Sequence, residues 1–391
     1  MKLEKCIGCQ GCVEACPYNA IDFSYNIWGE GHAVIDADKC KDCGLCDRIC
    51  PSNNILFNEA ATTVYAVISK KYRHTGSSGG VFFELASRFV AQGGVVYGAT
   101  FNDALKLVHR KATTREELIK LCKSKYLHSD MTGVYAEIAE LLKAKRNVMF
   151  VGTPCQVSAV KNLFSKKYRD QLFLVDFLCH GTGTQKVFDI CIREEENKQN
   201  GSIKDFYFRS KSRKAAHSFT YTLEQNNRKK NILGYSFQFP YYYSYLKYGI
   251  FNEYCYECKY AKSNRVGDIT VGDFWGVHKY NKALDEKKGV SMISVNTDIG
   301  RKYFEEICHE CVVYNYPIDY AMRVNQAFRE NVSNACRTAK HTFEKNLCEE
   351  GEQALVEKMS CPNVKKEIIY AKTPRIIKQT WNLIRGRSEK Y

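Results

Sequence analysis

The chain predicts a small cysteine-rich unit, then an α/β core, then a helical C-terminal region, an α+β/α/β organisation. Three observations carry this. Two matched cysteine runs occupy the N-terminal side, strand–loop–helix units follow in series, and residues 301–391 read as mostly helical. The expected divisions are residues 1–57, 64–146, 147–300 and 301–391.

The first unit reads Cys6-x2-Cys9-x2-Cys12-x3-Cys16-Pro17, then Cys40-x2-Cys43-x2-Cys46-x3-Cys50-Pro51. This is the ligand spacing of bacterial two-cluster ferredoxins, in which each run gives three thiolates to one 4Fe-4S cube and its fourth to the other. Cys6, Cys9, Cys12 and Cys50 form one expected set, and Cys16, Cys40, Cys43 and Cys46 the other. Pro17 and Pro51 turn the chain after each crossing ligand, because proline fixes φ and has no N–H to donate. Gly8, Gly11 and Gly44 allow tight bends around a cube. Zinc would take two Cys-x2-Cys pairs, and disulfides need no such spacing. Residues 21–23 and 32–35 alternate as a small hairpin, and residues 58–63 read as a linker.

At 391 residues the chain exceeds one such unit, and two or three domains of about 100–200 residues are expected. A hydrophobic fraction of 45% supports a sizeable core. No run of about 18 apolar residues exists, so no membrane span is expected, and the N-terminus lacks an apolar signal region. A cytoplasmic location is expected, and 19 cysteines in a reducing compartment point to metal rather than disulfides. Net charge is +15; residues 1–60 carry five Lys/Arg and nine Asp/Glu, which leaves +19 on the rest. A basic body suits an anionic small molecule or an acidic redox protein. Nucleic acid is not expected, since no recognised motif is present and the charge is scattered.

The body begins with a strand over 64–69, then Thr75-Gly76-Ser77-Ser78-Gly79-Gly80 opening an apolar helix over 81–91. A Gly/Ser turn at a helix N-terminus is an anion site or an ordinary cap. Residues 93–99 read as a strand, and 116–122 and 134–145 as helices. A strand over 147–151 ends at Gly152-Thr153-Pro154-Cys155-Gln156 and leads into a helix to about 164. A second unit repeats this: strand 172–177, loop Leu178-Cys179-His180-Gly181, helix 185–197. Such units imply a mainly parallel sheet, with sites at the carboxyl ends of its strands. Residues 206–208, 219–223 and 230–233 suggest an antiparallel patch. The aromatic stretch 241–248 reads as core or as a cofactor platform.

Of the eleven remaining cysteines, Cys155, Cys179, Cys255 and Cys258 sit in loops with chemically suggestive neighbours. Two strand-end loops and a Cys-x2-Cys pair could close a third cluster, or the pair could be half of a zinc site. Cys308-x2-Cys311 follows a helical stretch and reads as structural. Cys122, Cys191, Cys336, Cys348 and Cys361 read as buried or incidental thiols.

Taken in order, Ser77-Ser78-Gly79-Gly80, Gly93-Gly94-Val95-Val96-Tyr97-Gly98, Ser124-Lys125-Tyr126, Gly152-Thr153-Pro154-Cys155-Gln156, Cys179-His180-Gly181, Cys255-x2-Cys258 and Gly272-Asp273-Phe274-Trp275-Gly276 resemble a known family. This is the beta-subunit family of coenzyme F-420 hydrogenases and dehydrogenases, in its bacterial form with a fused dicluster ferredoxin, and the likeness covers about residues 64–300. The resemblance implies a FAD-containing iron–sulfur protein with a flavin-binding α/β core. It implies that Ser77, Ser78, Gly79, Gly80, Ser124, Lys125 and Tyr126 help hold the flavin, with Gly152, Thr153 and Pro154 lining the same cleft. It also implies that Cys155, Cys179, Cys255 and Cys258 ligate an extra 4Fe-4S cluster. Family members commonly continue the Cys-His-Gly loop with Val-Pro-Ser; here Thr182-Gly183-Thr184 follows, which puts substrate identity in question.

The expected function is an oxidoreductase passing electrons from ferredoxin-type clusters through FAD to or from an organic substrate or deazaflavin coenzyme. His180 is the candidate proton donor, with an orienting hydrogen bond as its other reading. The alternative is a non-catalytic electron-transfer subunit of a larger redox complex. Expected partners are an electron donor or acceptor protein, such as a ferredoxin or a member of a redox complex, and an anionic small molecule. A basic tail from residue 365 reads as a solvated helix or a docking segment.

Overall fold

The computed structural model describes residues 6–211, 217–325, 328 and 334–373. The basic tail beyond residue 373 lies outside the described residues. In the N-terminal unit, α1 (Gly11–Ala15) and α2 (Leu45–Ile49) flank a hairpin of β1 (Ile21–Tyr25) and β2 (Gly31–Ile35). The hairpin register runs from Ile21↔Ile35 to Tyr25↔Gly31. Its tip carries Trp28, which is fully buried in the body's aromatic core rather than in its own unit. Gly29 sits at φ +83°, and a Cβ there would lie 2.6 Å from the Lys186 Cβ, so the tip's close approach needs glycine.

The body opens with β3 (Thr63–Ser69), α3 (Val81–Ala91), the hairpin β4 (Val95–Phe101) and β5 (Leu107–Ala112), α4 (Arg115–Leu121) and α5 (Val134–Lys143). Then come β6 (Val148–Gly152), α6 (Pro154–Tyr168), β7 (Leu172–Phe177) and α7 (Gln185–Gln199). A three-stranded antiparallel sheet follows, formed by β8 (Ser202–Tyr207), β9 (Ser218–Gln225) and β10 (Arg228–Tyr235), and leads to α8 (Pro240–Leu246). The chain returns through β11 (Ile269–Asp273), β12 (Ser291–Val295), α9 (Asp298–Cys308) and β13 (Cys311–Pro317). It ends in α10 (Ile318–Val324), α11 (Asn334–Glu349), α12 (Gly351–Met359) and α13 (Val364–Lys372).

One eight-stranded sheet, in the order β13-β3-β12-β11-β7-β6-β4-β5, organises the body. Only its centre is parallel, at the β4/β6, β6/β7 and β7/β11 pairings. The expectation of a mainly parallel sheet therefore needs correction. β5 folds back on β4, while β12 and β13 enter antiparallel on either side of β3. Residues 301–391 likewise contribute more than helices, because β13 pairs with β3 along its full length. Strands from residues 64–146, 147–300 and beyond all share this sheet.

Side chains alternate across it with period two. Met149, Phe173 and Val175 face α3, α4 and α9, while Val148, Phe150, Leu172 and Leu174 face α5 and α6. A third core, around Phe188, Phe206, Phe208, Tyr241 and Tyr242, joins α7, α8 and the small sheet. The aromatic stretch after residue 240 is thus core. The N-terminal unit lies on the α5/α6 side: Gln10 accepts from the Met131 N–H at 2.7 Å, and Glu14 from the Gly133 N–H at 2.8 Å. Asn162 donates to the Ile49 and Asn54 carbonyls at 3.1 and 2.7 Å.

A second seam binds the hairpin tip to the C-terminal helices. Lys340 is only 2% exposed, and its Nζ meets Glu30 and Glu253 at 2.9 Å and Glu344 at 3.0 Å. Three carboxylates around one buried ammonium meet the requirement that a buried charge be paired. Among the described residues no helix is long and apolar enough to cross a membrane.

Candidate functional site

The N-terminal cysteines sit where two short helices begin and end. Cys12 lies in α1 and Cys46 in α2, while Cys16 and Cys50 are the C-terminal caps of those helices. Burial pushes the Cys9 thiol well up; a Gly11 N–H opposes this, and the charges of Cys12, Cys6 and Cys50 add to it. Burial, then Cys6, Cys50 and Cys46, raises Cys12 to about 12. Cys6, Cys9, Cys12 and Cys50 therefore stand together, although Cys50 comes from the far run, and Cys46 of the other expected set stands near Cys12. Cys16 accepts the Ala20 N–H and Cys40 the Asp42 N–H, each at 3.4 Å. Such bonds to sulfur tune a cluster's thiolates.

The core cysteines arrive from three loops. Gly152 of β6 pairs with Asp176 of β7, which pairs with Thr270 of β11. Each of the first two strands places a cysteine three residues past that line, Cys155 and Cys179. Cys155 falls in the first turn of α6, which Thr153 and Gln156 close with a capping box and Pro154 starts. The free N–H groups there favour a thiolate. Burial raises Cys155 to about 12; Thr153 opposes, and Cys258 adds. Burial, then Cys155 and Cys258, raises Cys179, and burial, then Cys179 and Cys258, raises Cys255. Burial likewise raises Cys258, against backbone N–H bonds and the Arg265 cation. The four thiols form one group, with Cys255 buried and Cys155, Cys179 and Cys258 half-buried. Among the described residues no three His, Cys, Asp or Glu side chains converge on a single metal ion; a cube, by contrast, takes its four thiolates on four different irons.

Arg265 holds this group's frame and had no signal in the sequence. It is 2% exposed and pairs at 3.3 Å with the fully buried Asp176. It also donates to the carbonyls of Tyr260 at 3.0 Å and Phe177 at 3.1 Å. Asp176 accepts in turn from the Val266 and Gly267 N–H groups. The loop bearing Cys255 and Cys258 is thereby fastened to the strand that leads to Cys179. The two partners lie 89 positions apart, too far for any local pattern to reveal.

Residues 124–131 run past every neighbouring loop. The Ser124 N–H and hydroxyl meet the Ser77 hydroxyl at 2.9 and 3.2 Å. Tyr126 stacks on Tyr245 at 4.4 Å, and its carbonyl accepts from Tyr241 and Gly183. His128 touches Gly8 and Tyr254, and Ser129 accepts from Gln156 at 2.9 Å. Lys125 turns away: its Nζ donates to the carbonyls of Lys120, Leu121 and Cys122, closing the C-terminal end of α4. In the Ser77 turn, Ser78 donates to the Val290 carbonyl and the Gly79 N–H to Ser291, each at 2.9 Å. Gly79 and Gly80 are packing glycines, since a Cβ on either would strike backbone at 2.3 Å. No side chain caps α3, so its first-turn N–H groups stand at this turn with the Ser77 hydroxyl, which accepts from both the Ser124 N–H and the Ser124 hydroxyl and keeps its own proton to donate.

His180 follows Cys179 and lies against a polar group beyond the strand ends. Burial lowers its imidazole, with Asp273 opposing and Arg209 adding. Arg209 pairs with Asp273 at 2.9 Å and stands 5.3 Å from the Trp275 ring. Burial, then Arg209, lowers His217 to about 4, and His217 meets the Tyr242 hydroxyl at 3.3 Å.

Residues 5–54 match the 4Fe-4S dicluster domain, and residues 145–319 match the family described as the C terminus of the coenzyme F420 hydrogenase/dehydrogenase beta subunit. Relatives share the N-terminal segment. The ferredoxin-type protein NapF of Haemophilus influenzae is 38% identical over 14% of this chain and 30% of its own length. Ferredoxin 7Fe of Hydrogenibacillus schlegelii is 43% identical over 14% of this chain and 68% of its own length. Pyruvate synthase subunit PorD of Methanocaldococcus jannaschii is 42% identical over 13% and 56%. The chain thus spans less than a third of NapF and just over half of PorD. A chain of the F420-reducing NiFe hydrogenase complex from Methanosarcina barkeri aligns over 74% of this chain and 91% of its own, at 18% identity and a TM-score of 0.44. By its two domain matches, the chain joins a 4Fe-4S dicluster domain to the C-terminal domain of the coenzyme F420 hydrogenase/dehydrogenase beta-subunit family.

Proposed function

We propose that this chain is an iron–sulfur flavoprotein oxidoreductase acting on an anionic organic substrate or a deazaflavin coenzyme. In this reading Cys155, Cys179, Cys255 and Cys258 hold a third 4Fe-4S cluster, beyond the two of the dicluster domain. The reading rests on one observation above all: four buried or half-buried thiols from three separate loops share one place beside a fixed cation. Burying them as free thiolates would be costly, and coordination deprotonates a thiol outright.

The FAD reading is supported by the uncapped α3 N-terminus beside the Ser77 and Ser124 hydroxyls, with Arg73 and Lys211 close behind. N–H groups at a helix start suit a phosphate. When bound, the flavin exchanges single electrons with clusters and a hydride with an organic molecule. His180 is the proposed proton donor, in a strand-end loop facing the Arg209–Asp273 pair. The charge of +15 would draw in an acidic donor protein or an anionic substrate.

Anaerobic purification followed by iron and flavin counts tests the reading. It expects roughly twelve irons and one flavin per chain, and about eight irons without flavin overturns it. Cys155→Ser should lower iron by up to about four while sparing the dicluster domain. Substrate turnover by the isolated monomer would exclude an obligate subunit role.

A further inference from the structure

We propose that Tyr254 and Tyr260 are positioning residues that join the core cysteine group to one N-terminal group, Cys6, Cys9, Cys12 and Cys50. That makes this group the inner one, and Cys16, Cys40, Cys43 and Cys46 the outer one. The proposal rests on the third-cluster reading of Cys155, Cys179, Cys255 and Cys258.

The two tyrosines bracket the Cys255-x2-Cys258 pair; Tyr260 reaches the N-terminal unit directly and Tyr254 through His128. The Tyr254 hydroxyl meets His128 Nδ1 at 2.9 Å, and His128 Nε2 meets the Gly8 carbonyl at 3.2 Å. A carbonyl can only accept, so Nε2 carries the proton and Nδ1 accepts from Tyr254. The relay therefore has a fixed direction, from the residue before Cys255 to the residue before Cys9. Tyr260 donates to the Pro51 carbonyl at 2.8 Å, and Lys259 to the Ser52 carbonyl at 2.7 Å, just past Cys50. From α5, Tyr135 donates to the Cys9 carbonyl at 2.6 Å.

These contacts pass through packed apolar matter. Ile7, Cys9, Tyr135, Val157 and Tyr260 share one buried cluster, with Cys155 and Cys258 against it. Tyr135 feels the charges of both Cys9 and Cys155, and Tyr260 those of Cys155, Cys9 and Cys258. The two N-terminal groups differ in exposure: Cys9 and Cys12 are buried in the first, whereas the second has no buried member and its Cys43 is exposed; Cys6 and Cys50 are half-buried, as are Cys16, Cys40 and Cys46. The junction carries one electron at a time, with no bond made or broken, one side oxidised as the other is reduced. An external one-electron donor supplies the outer face.

Electron paramagnetic resonance of the dithionite-reduced full chain tests this. The core signal is identified as the one lost in Cys155→Ser. It should be split by a neighbouring reduced cluster in the wild type and in Cys43→Ser, and lose that splitting in Cys9→Ser. Should Cys9→Ser fail to fold, Cys6→Ser opens the same group from a less buried position. Tyr254→Leu with Tyr260→Leu should keep the wild-type iron content and reduce the splitting, and Tyr260→Phe, which keeps the ring, should restore part of it. Splitting lost in Cys43→Ser but kept in Cys9→Ser overturns the proposal, as does full splitting in the double leucine variant. A wild type with about eight irons and no signal sensitive to Cys155→Ser overturns the third-cluster reading, and the proposal with it.

Discussion

Arg265 shows how much of the site depends on one side chain that is not itself a proposed ligand. Replacing it with methionine leaves Asp176 buried and unpaired and frees the loop of Cys255 and Cys258. Arg265→Met should cost about 3–5 kcal/mol of stability, the scale for breaking a buried pair. Denaturant unfolding of the full chain measures this, and the iron content should fall in the same variant. Lys211 offers a test by pH. Burial, then Arg73, lowers its ammonium to about 8, with Asp273 opposing. A phosphate held beside it favours the charged form and would raise that value. FAD affinity should then be full below about pH 8 and decline as pH rises through it. Lys211→Met should flatten the dependence in a flavin fluorescence titration. The eight N-terminal cysteines were readable in the sequence because their ligand spacing is local. Tyr254 and Tyr260 stood in plain view beside a Cys-x2-Cys pair, but their partners, His128 and Pro51, are set only by the fold.

Among the elements, the β1–β2 hairpin does more than its small size suggests. Its tip buries Trp28 among Phe188 and Tyr241, and Thr184 donates to the Trp28 carbonyl at 2.7 Å. Trp28→Ala should cost about 3–5 kcal/mol, as for other large-to-small core changes. Faster proteolytic cutting near residues 58–62 would report the N-terminal unit loosening from the body. The hairpin itself was legible from alternation; that its tip belongs to another core was not, because a lone tryptophan in a turn names no partner. The strands before Cys155 and Cys179 were legible as apolar runs. β5, β12 and β13 were missed, each for its own reason. β5, Leu107–Ala112, mixes His, Arg and Lys with apolar residues, and β13 is largely exposed at the sheet's edge. β12 is short and buried, and nothing local sets it beside β3.

At the scale of the whole molecule, an acidic N-terminal unit is set into a basic body, and the contact between them is extensive rather than incidental. The stretch that reads as a linker takes part in it. The Asn58 N–H donates to the Arg265 carbonyl at 2.8 Å and its side chain to the Gly267 carbonyl at 2.7 Å. Lys161 donates to the Leu56 carbonyl at 2.8 Å and to Asn58 at 2.7 Å. Two modules on a leash meet at a frequency set by the leash, and lengthening it dilutes one in the presence of the other. Here the two are soldered. A short Gly/Ser insertion between Ala60 and Ala61 should leave the rate of internal electron transfer unchanged in a freeze-quench experiment. A rate that falls with insert length would mean that the solder gives way in solution. Fusion in one chain, on this view, supplies a fixed joint rather than a raised local concentration. The N-terminal unit is then less a delivery module than a wall of the body itself.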